Sequence, residues 1–260
     1  MHLYRFDAIV FDFDGTLVQS NKIKTWAFGE LYKEHGENIV RQIISYNKEH
    51  EGVSRFVKFR YWQEDLLGQP YTKEIGENLS RTYSQLVFDA VVQAPYVEGA
   101  LEFLKKHYQH IPLFIASGTP EQELREIIKK RSIKHFFQGV YGSPQTKKEI
   151  LKGILAKHKL YPEQVLMLGD ALTDWEGAQG VGAEFIGIQS GKSSNIFPST
   201  KILLNNFTEL DKTAWSLADL VAQCPTSQWD TIFDSQYDSV ITNPPEVCVP
   251  DYEFEIPDPA

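Results

Sequence analysis

Four short runs of apolar residues, each ending in small or polar residues, predict the strands of one sheet. The runs lie at residues 7–14, 111–116, 165–168 and 184–188, and a further short strand is predicted at residues 202–204. Runs that are apolar almost throughout indicate strands buried on both faces, as in a parallel sheet.

Helical patterns with one apolar face separate these runs. Helices are predicted at residues 120–130, 146–158 and 174–180, and a final helix is expected to end by residue 222. Strands that alternate with helices are typical of an α/β fold with right-handed crossovers. The pattern therefore predicts an α/β protein whose core is a Rossmann-like parallel sheet.

Residues 18–92 break this alternation, because they contain no convincing strand. They predict four helices, near residues 23–35, 38–49, 54–67 and 73–91. We interpret them as a helical domain inserted into the core after the first strand. The predicted domains are an α/β core of residues 1–17 and 93–222, the inserted domain of residues 18–92, and an acidic, proline-rich extension of residues 223–260.

The net charge of −9 is concentrated in that extension. Residues 223–260 hold eight acidic side chains, six prolines and no Lys or Arg, which leaves the first 222 residues at about −1. Nucleic acid is not expected as a partner, because duplex binding needs a basic face. The extension also holds more aromatic residues than a purely disordered tail would. We expect its 226–241 part to dock on this chain or on a second copy, which leaves a homodimer open.

The cellular location is predicted from what the sequence lacks. No apolar run approaches the ~18 residues of a membrane helix, and the N-terminus has no signal-peptide pattern. Two cysteines, Cys224 and Cys248, are too few for a disulfide scaffold. A cytoplasmic location, with no membrane partner, is the simplest expectation.

Polar side chains follow the predicted strands where each strand ends. Ligands bind at this edge of a parallel sheet, so we expect these side chains to form one cluster. They are Asp12, Asp14 and Thr16 after the first strand, Ser117 and Thr119 after the second, Asp170 and Asp174 after the third, and Lys147 at the start of a helix.

Asp12 and Asp14 are the most informative pair. Two carboxylates so close repel each other unless a cation lies between them or one of them holds a proton. Asp170 and Asp174 would complete a site of oxygen ligands only, and such a site suits Mg²⁺. Asp12 could then attack phosphorus, while Asp14 protonates the leaving oxygen and later deprotonates water. The alternative is that both residues only cap the turn.

Two further features suit an anion such as phosphate. Lys147 falls on the apolar stripe of its helix, where it needs an anion unless its stem extends to solvent. Ser117, Gly118 and Thr119 stand between a strand and a helix, where hydroxyls and backbone N–H groups bind anions or simply cap the helix.

The motifs together resemble those of the haloacid dehalogenase superfamily. Asp12-Phe13-Asp14-Gly15-Thr16-Leu17 is similar to the first family motif, Ser117 to the second, Lys147 to the third, and the segment from Gly169 to Asp174 to the fourth. The resemblance covers residues 5–210. The inserted helices resemble the helical cap of the phosphoglycolate-phosphatase-like subgroup, which closes over the site and selects substrates.

The resemblance implies a role for each residue. Asp12 would be the nucleophile and Asp14 the general acid and base. The implied catalytic set is Asp12, Asp14, Ser117 and Lys147; the phosphate-binding set is Gly15, Thr16, Ser117, Gly118 and Lys147; the Mg²⁺ set is Asp12, Asp14 through its backbone carbonyl, Asp170 and, in support, Asp174.

The function expected is a Mg²⁺-dependent phosphatase that hydrolyses a small phosphorylated metabolite through an aspartyl-phosphate. The alternative is a phosphomutase of the β-phosphoglucomutase-like kind. A phospho-receiver module or a non-catalytic binding module is a less favoured alternative. The substrate is not indicated. Arg55 and Lys58 share one face of a predicted helix; they either meet an anionic group or form a solvated face, and the solvated face is favoured.

Overall fold

The computed structural model describes residues 6–189, 196–198 and 202–210. Six parallel strands form one sheet in the spatial order β3-β2-β1-β4-β5-β6, which confirms the predicted α/β class. The strands are β1 (Ala8–Phe11), β2 (Leu113–Pro120), β3 (Gly139–Ser143), β4 (Val165–Gly169), β5 (Glu184–Ile188) and β6 (Leu203–Leu204).

The strand order places β1 at the topological switch point: strands β2 and β3 follow on one side of it, and β4, β5 and β6 follow on the other. β1 pairs with β2 on one side, with Val10 opposite Phe114, and with β4 on the other, with Val10 opposite Met167. The carboxyl ends of β1, β2 and β4 are therefore neighbours, and the crevice outside them is where an open α/β sheet binds its ligands.

Both faces of the sheet are buried. Along β1, Ile9 and Phe11 pack into one hydrophobic cluster, while Ala8 and Val10 pack into a second. Successive strand residues point to opposite faces, so a strand covered on both sides must be apolar at every position. This is the physical reason that the unbroken apolar run predicted the strand.

Within residues 6–189, four helices flank the sheet. They are α5 (Ala100–His107), α6 (Glu121–Lys130), α7 (Lys147–His158) and α8 (Leu172–Gln179). The patterns predicted α6, α7 and α8, but not α5 and not strand β3. β3 has the sequence Gly-Val-Tyr-Gly-Ser and lies at the sheet edge, so its apolar signal is weak.

Between β1 and α5 the chain carries four α-helices, α1 (Asn21–Leu31), α2 (Glu37–Glu49), α3 (Arg55–Tyr61) and α4 (Lys73–Gln93). We call residues 21–93 the helical insert. Aromatic rings fill its interior: Phe28 stacks on Tyr83 with centroids 4.2 Å apart and meets Trp62 edge-on at 5.0 Å. α3 is followed directly by a π-helical turn over Trp62–Leu66, so the single helix predicted at residues 54–67 changes its hydrogen bonding midway.

Some expectations concern the C-terminal part of the chain. The predicted strand at residues 202–204 is found as β6, and a helix begins at residues 207–210. The rest of that predicted helix, the extension of residues 223–260 and its docking lie outside the described residues. Within the described ranges, no helix is both long enough and apolar enough to cross a membrane.

Candidate active site

Asp12 follows β1 directly and is buried. Its backbone N–H donates to the Leu168 carbonyl oxygen at 2.8 Å, which ties the end of β1 to β4. Its Oδ1 lies 2.7 Å from the Lys147 Nζ, but not in hydrogen-bonding geometry, and finds no other hydrogen-bond partner in the described part of the chain. The side chain thus has a buried oxygen able to accept a further electropositive atom.

Asp14 is held in place by cationic and hydroxyl groups. It forms an ion pair with Lys24 and accepts hydrogen bonds from Ser20 Oγ at 2.7 Å and Thr119 Oγ1 at 2.8 Å. Burial alone would raise the pKa of Asp14, but the Lys24 charge and these hydrogen bonds hold it below its ordinary value. Asp14 is therefore a carboxylate in this arrangement.

Lys147 occupies the first turn of α7, where a capping box formed by Thr146 and Glu149 starts the helix. The side chain is buried and forms ion pairs with Asp12 and Asp174. Burial disfavours its ammonium, but these two carboxylates overcome that effect and raise the pKa of Lys147. The alternative in which Lys147 extends its head group to solvent is wrong.

Asp170 comes directly after β4. It accepts hydrogen bonds from Thr16 Oγ1 at 3.1 Å and from Asn21 Nδ2 at 2.8 Å. Gly15 has a φ of 85°, and a Cβ there would collide with the side chains of Asp170 and Asn21. A glycine at position 15 thus allows the loop after β1 to approach Asp170.

Ser117, Gly118 and Thr119 lie at the end of β2, where pairing with β3 shifts register after Ala116. β2 extends to Pro120, so the predicted strand end at residue 116 is wrong, although the backbone becomes irregular there. Ser117 Oγ accepts a hydrogen bond from the Thr119 N–H at 3.1 Å. A Cβ on Gly118 would lie 2.6 Å from the Gly52 carbonyl oxygen, so the helical insert closely approaches this strand end.

A divalent cation fits the acidic side of the site. Asp12, Asp170 and Asp174 each offer one oxygen, and these oxygens lie within 4.8 Å of one another. Burial raises the pKa of Asp12 well above its ordinary value; Lys147 opposes this rise, and the neighbouring carboxylates add to it. A cation beside Asp12 would oppose this rise and add a second positive neighbour to Oδ1, which already pairs with the Lys147 ammonium. Mg²⁺ prefers such an all-oxygen set.

The acidic side of the site faces the helical insert across a cavity of about 70 Å³. At roughly 10–15 Å³ per water position, this space holds about five to seven waters. The cavity is lined from the sheet side by Asp12, Asp14, Ser117, Gly118, Thr119 and Asp170, and from the insert by residues that include Asn21, Lys24, Asn47, Arg55 and Lys58.

The expectation that Arg55 and Lys58 form a solvated face is wrong. Each is only 4% exposed. Arg55 pairs with Glu123 of α6 at 2.8 Å, and Lys58 donates to Asn47 Oδ1 at 2.7 Å. Arg60, on the same helix, is exposed and lies over the Tyr71 ring.

Several site residues were missed by the sequence reasoning. Asn21 and Lys24 belong to the first turn of α1, which begins only a few residues after Asp14. A helix that starts this soon after a strand end is able to direct part of its first turn at that end, and this spacing was the available signal. Asn47 gave no such signal, because only the packing of α2 against α1 brings it to the cavity.

The fold and this constellation define the class of protein. The haloacid dehalogenase-like hydrolase family model matches residues 9–188. That match spans more than half of the chain, so the protein belongs to the haloacid dehalogenase-like hydrolase family.

Two curated relatives are phosphatases by name. The chain is 26% identical over 189 residues to a phosphorylated carbohydrates phosphatase of Thermotoga maritima, covering 69% of this chain and 83% of the relative. It is 27% identical over 192 residues to a phosphoglycolate phosphatase of Aliivibrio fischeri, covering 70% and 84%.

Among solved structures, the chain resembles a predicted phosphoglycolate phosphatase from Haemophilus somnus, with a TM-score of 0.64 and 19% identity over 80% of this chain and 98% of that one. This likeness supports the fold.

Proposed function

We propose that the protein is a Mg²⁺-dependent phosphatase that hydrolyses a small phosphorylated metabolite through a phosphoryl group on Asp12. The observation that carries the proposal is the state of Asp12. This carboxylate is buried at the end of β1 and lines the cavity, and its Oδ1 lies 2.7 Å from the Lys147 ammonium while accepting no hydrogen bond from the described residues. A carboxylate so placed is a nucleophile positioned in advance of its substrate.

The first half-reaction transfers the phosphoryl group to the enzyme. An Asp12 oxygen forms a bond to phosphorus as the bond from phosphorus to the leaving oxygen breaks, and Asp14 gives that oxygen its proton. Asp14 lies beside Ser117 and Thr119, at the edge of the same cavity. Lys24 favours the carboxylate form of Asp14. Asp14 must therefore acquire its proton when the substrate binds and either displaces the Lys24 ammonium or also interacts with it.

The second half-reaction frees Asp12 and leaves Asp14 protonated, in the form that the next phosphoryl transfer uses. Asp14, now a carboxylate, takes a proton from a water molecule, whose oxygen attacks phosphorus as the bond to Asp12 breaks. The pairing of Asp14 with Lys24 suits this step, because a carboxylate is the form that accepts a proton.

The remaining residues hold the metal and the phosphoryl oxygens. We assign the metal to Asp12, Asp170 and the Asp14 backbone carbonyl, with Asp174 in support. When bound, Mg²⁺ would neutralise the crowded carboxylates and the charge on the phosphoryl group. Ser117 and Lys147, with the backbone at Gly15, Thr16 and Gly118, would bind the phosphoryl oxygens.

A phosphomutase would use the same Asp12 and Asp14, with a sugar hydroxyl in place of water. The names of the two relatives given above, both phosphatases, favour hydrolysis. The closing role of the helical insert, a cytoplasmic location and a homodimer stay predictions.

The test measures phosphate release from a panel of phosphomonoesters with Mg²⁺. In parallel, the reaction is quenched rapidly to trap the phosphorylated enzyme. We expect a hydroxylamine-sensitive phosphoryl adduct on the peptide that contains Asp12, and no adduct in the Asp12→Asn variant. Phosphate release without any adduct, or an unchanged rate in Asp12→Asn, contradicts the mechanism. A sugar phosphate that isomerises faster than it is hydrolysed favours the phosphomutase.

A further inference from the structure

Lys58 is a buried cation on the insert side of the cavity. It belongs to α3, is 4% exposed and lines the cavity that Asp12 and Asp14 line from the sheet side. Its Nζ donates to the Asn47 side-chain oxygen at 2.7 Å and lies 5.4 Å from the centre of the Phe28 ring. Asn47 is itself fixed, since its amide nitrogen donates to Thr25 Oγ1 at 3.0 Å.

The other two cations of this wall already have a carboxylate partner. Lys24 pairs with Asp14, and Arg55 pairs with Glu123. Lys58 differs, because within the described ranges no carboxylate lies within ion-pair distance of its ammonium, and its hydrogen bond is to a neutral amide. A buried charge that is left without a counter-ion is unfavourable.

The electrostatic surroundings agree with this geometry. Burial lowers the pKa of Lys58 to about 7, and the charges of Lys24 and Arg55 lower it, while Glu51 acts in the opposite direction. An anion bound next to Lys58 would restore the ammonium, so these surroundings favour a ligand with negative charge at this end of the cavity.

We infer that Lys58, positioned by Asn47, is a specificity-determining residue that binds a second anionic group of the substrate, at the end opposite to the phosphate ester. The inference rests on the proposed function, which supplies the phosphate ester at the sheet side. Two chemical groups carry the required charge, a carboxylate and a second phosphate. The cavity of about 70 Å³ favours a compact substrate that can reach both walls.

The experiment compares three esters that share a two-carbon backbone. Phosphoglycolate carries a carboxylate, ethylene glycol bisphosphate carries a second phosphate, and ethylene glycol monophosphate carries a neutral hydroxyl. Phosphate release is measured for the wild type, for Lys58→Met, which keeps the length of the side chain without its charge, and for Lys48→Met. Lys48 is an exposed lysine on α2 and is the matched control.

We expect the wild type to prefer at least one of the two anionic esters over the neutral ester. Lys58→Met should lower kcat/KM for that ester by about 10–100-fold, the range for a lost charge-assisted hydrogen bond, and by less than about 3-fold for the neutral ester. Lys48→Met should change neither. Which anionic ester is preferred distinguishes the carboxylate from the phosphate. Equal losses for the charged and neutral esters, or no loss, overturn the inference.

A binding measurement separates this inference from the proposed chemistry. The same esters are titrated calorimetrically, with Mg²⁺, into Asp12→Asn and into Asp12→Asn combined with Lys58→Met. The anionic ester that Asp12→Asn binds most tightly is the reference, and weaker binding of that ester alone by the double variant supports the role of Lys58, even if the wild type releases no phosphate and the proposed function fails. Equal affinity of the two variants for every ester overturns the role of Lys58, whatever the enzyme hydrolyses.

Discussion

Arg55 of the helical insert and Glu123 of α6 are joined by two parallel hydrogen bonds, of 2.8 and 2.9 Å. Arg55 is buried and Glu123 is partly buried, Ser84 donates to the same carboxylate at 2.6 Å, and the guanidinium lies 4.5 Å from the centre of the Tyr83 ring. Two groups far apart in the chain thus fasten the insert to the helix that follows β2.

We expect Glu123→Ala to lower the free energy of unfolding by about 3–5 kcal/mol, because it leaves the Arg55 charge buried and unpaired. Urea denaturation followed by circular dichroism gives the value. Arg125→Ala, which breaks an exposed ion pair with Glu121 on the same helix, should cost about 0–1 kcal/mol. Similar small losses in both variants would mean that the buried pair does not fasten the insert.

Asp12→Asn should reduce kcat by roughly a thousandfold or more, because the amide cannot form the phosphoryl bond. Asp14→Asn should reduce it by roughly 10²–10⁴-fold, with a smaller loss for substrates whose leaving group needs no proton. The control is Asp65→Asn, an exposed aspartate in the π-helical turn. Wild-type turnover in folded Asp12→Asn is the outcome that the mechanism cannot accommodate.

Removal of divalent cations by EDTA should silence the enzyme, and Mg²⁺ should restore it. Ca²⁺ should substitute poorly, because its longer bonds and higher coordination number disturb the arrangement of ligands. Binding can also be followed without turnover: at a hundred times its Kd, Mg²⁺ should stabilise the protein by about 2.7 kcal/mol. Asp170→Asn should lose most of that stabilisation. Full activity in metal-free buffer, or an equal thermal shift in Asp170→Asn, argues against the site.

The stability of the wild type should rise relative to Lys58→Met between pH 7 and pH 10. Lys58 has a pKa of about 7 in the folded protein against an ordinary value of 10.5. Between these values the unfolded chain binds more protons than the folded one, so raising the pH favours the folded state, by at most about 1.4 kcal/mol per pH unit. Urea titrations of both proteins at several pH values measure the difference. A difference independent of pH would place the Lys58 pKa near 10.5.

Truncation after residue 222 tests the C-terminal extension. We expect lower stability or a changed oligomeric state, with kcat on a small substrate largely kept, since every proposed catalytic residue precedes position 175. Analytical ultracentrifugation and thermal melting give the first two quantities. A truncated protein of the same size and stability would show that the extension does not dock, and a stable but inactive one would show that it reaches the site.

The sequence predicted those features that are encoded locally. Asp12, Asp14 and Asp170 are recognisable because each lies close to the end of an apolar run. The carboxyl ends of parallel strands meet at the same edge of the sheet, so residues at these ends are expected to lie near one another. The surroundings of Arg55 and Lys58 were not predictable in this way. Their burial depends on partners from other helices: Glu123 stands 68 positions from Arg55. Spacing along a single helix indicates a shared face, but not what covers that face.

The position of Lys24 bears on how such proteins can be recombined. A natural place to exchange one helical insert for another is the connection after Val18, since the chain there crosses from the sheet to the helices. An exchange at that point would also exchange Asn21 and Lys24, the partners of Asp170 and Asp14. In a chimera built for a new substrate, the pKa of Asp14 would therefore change, unless the transplanted helix began with the same two side chains.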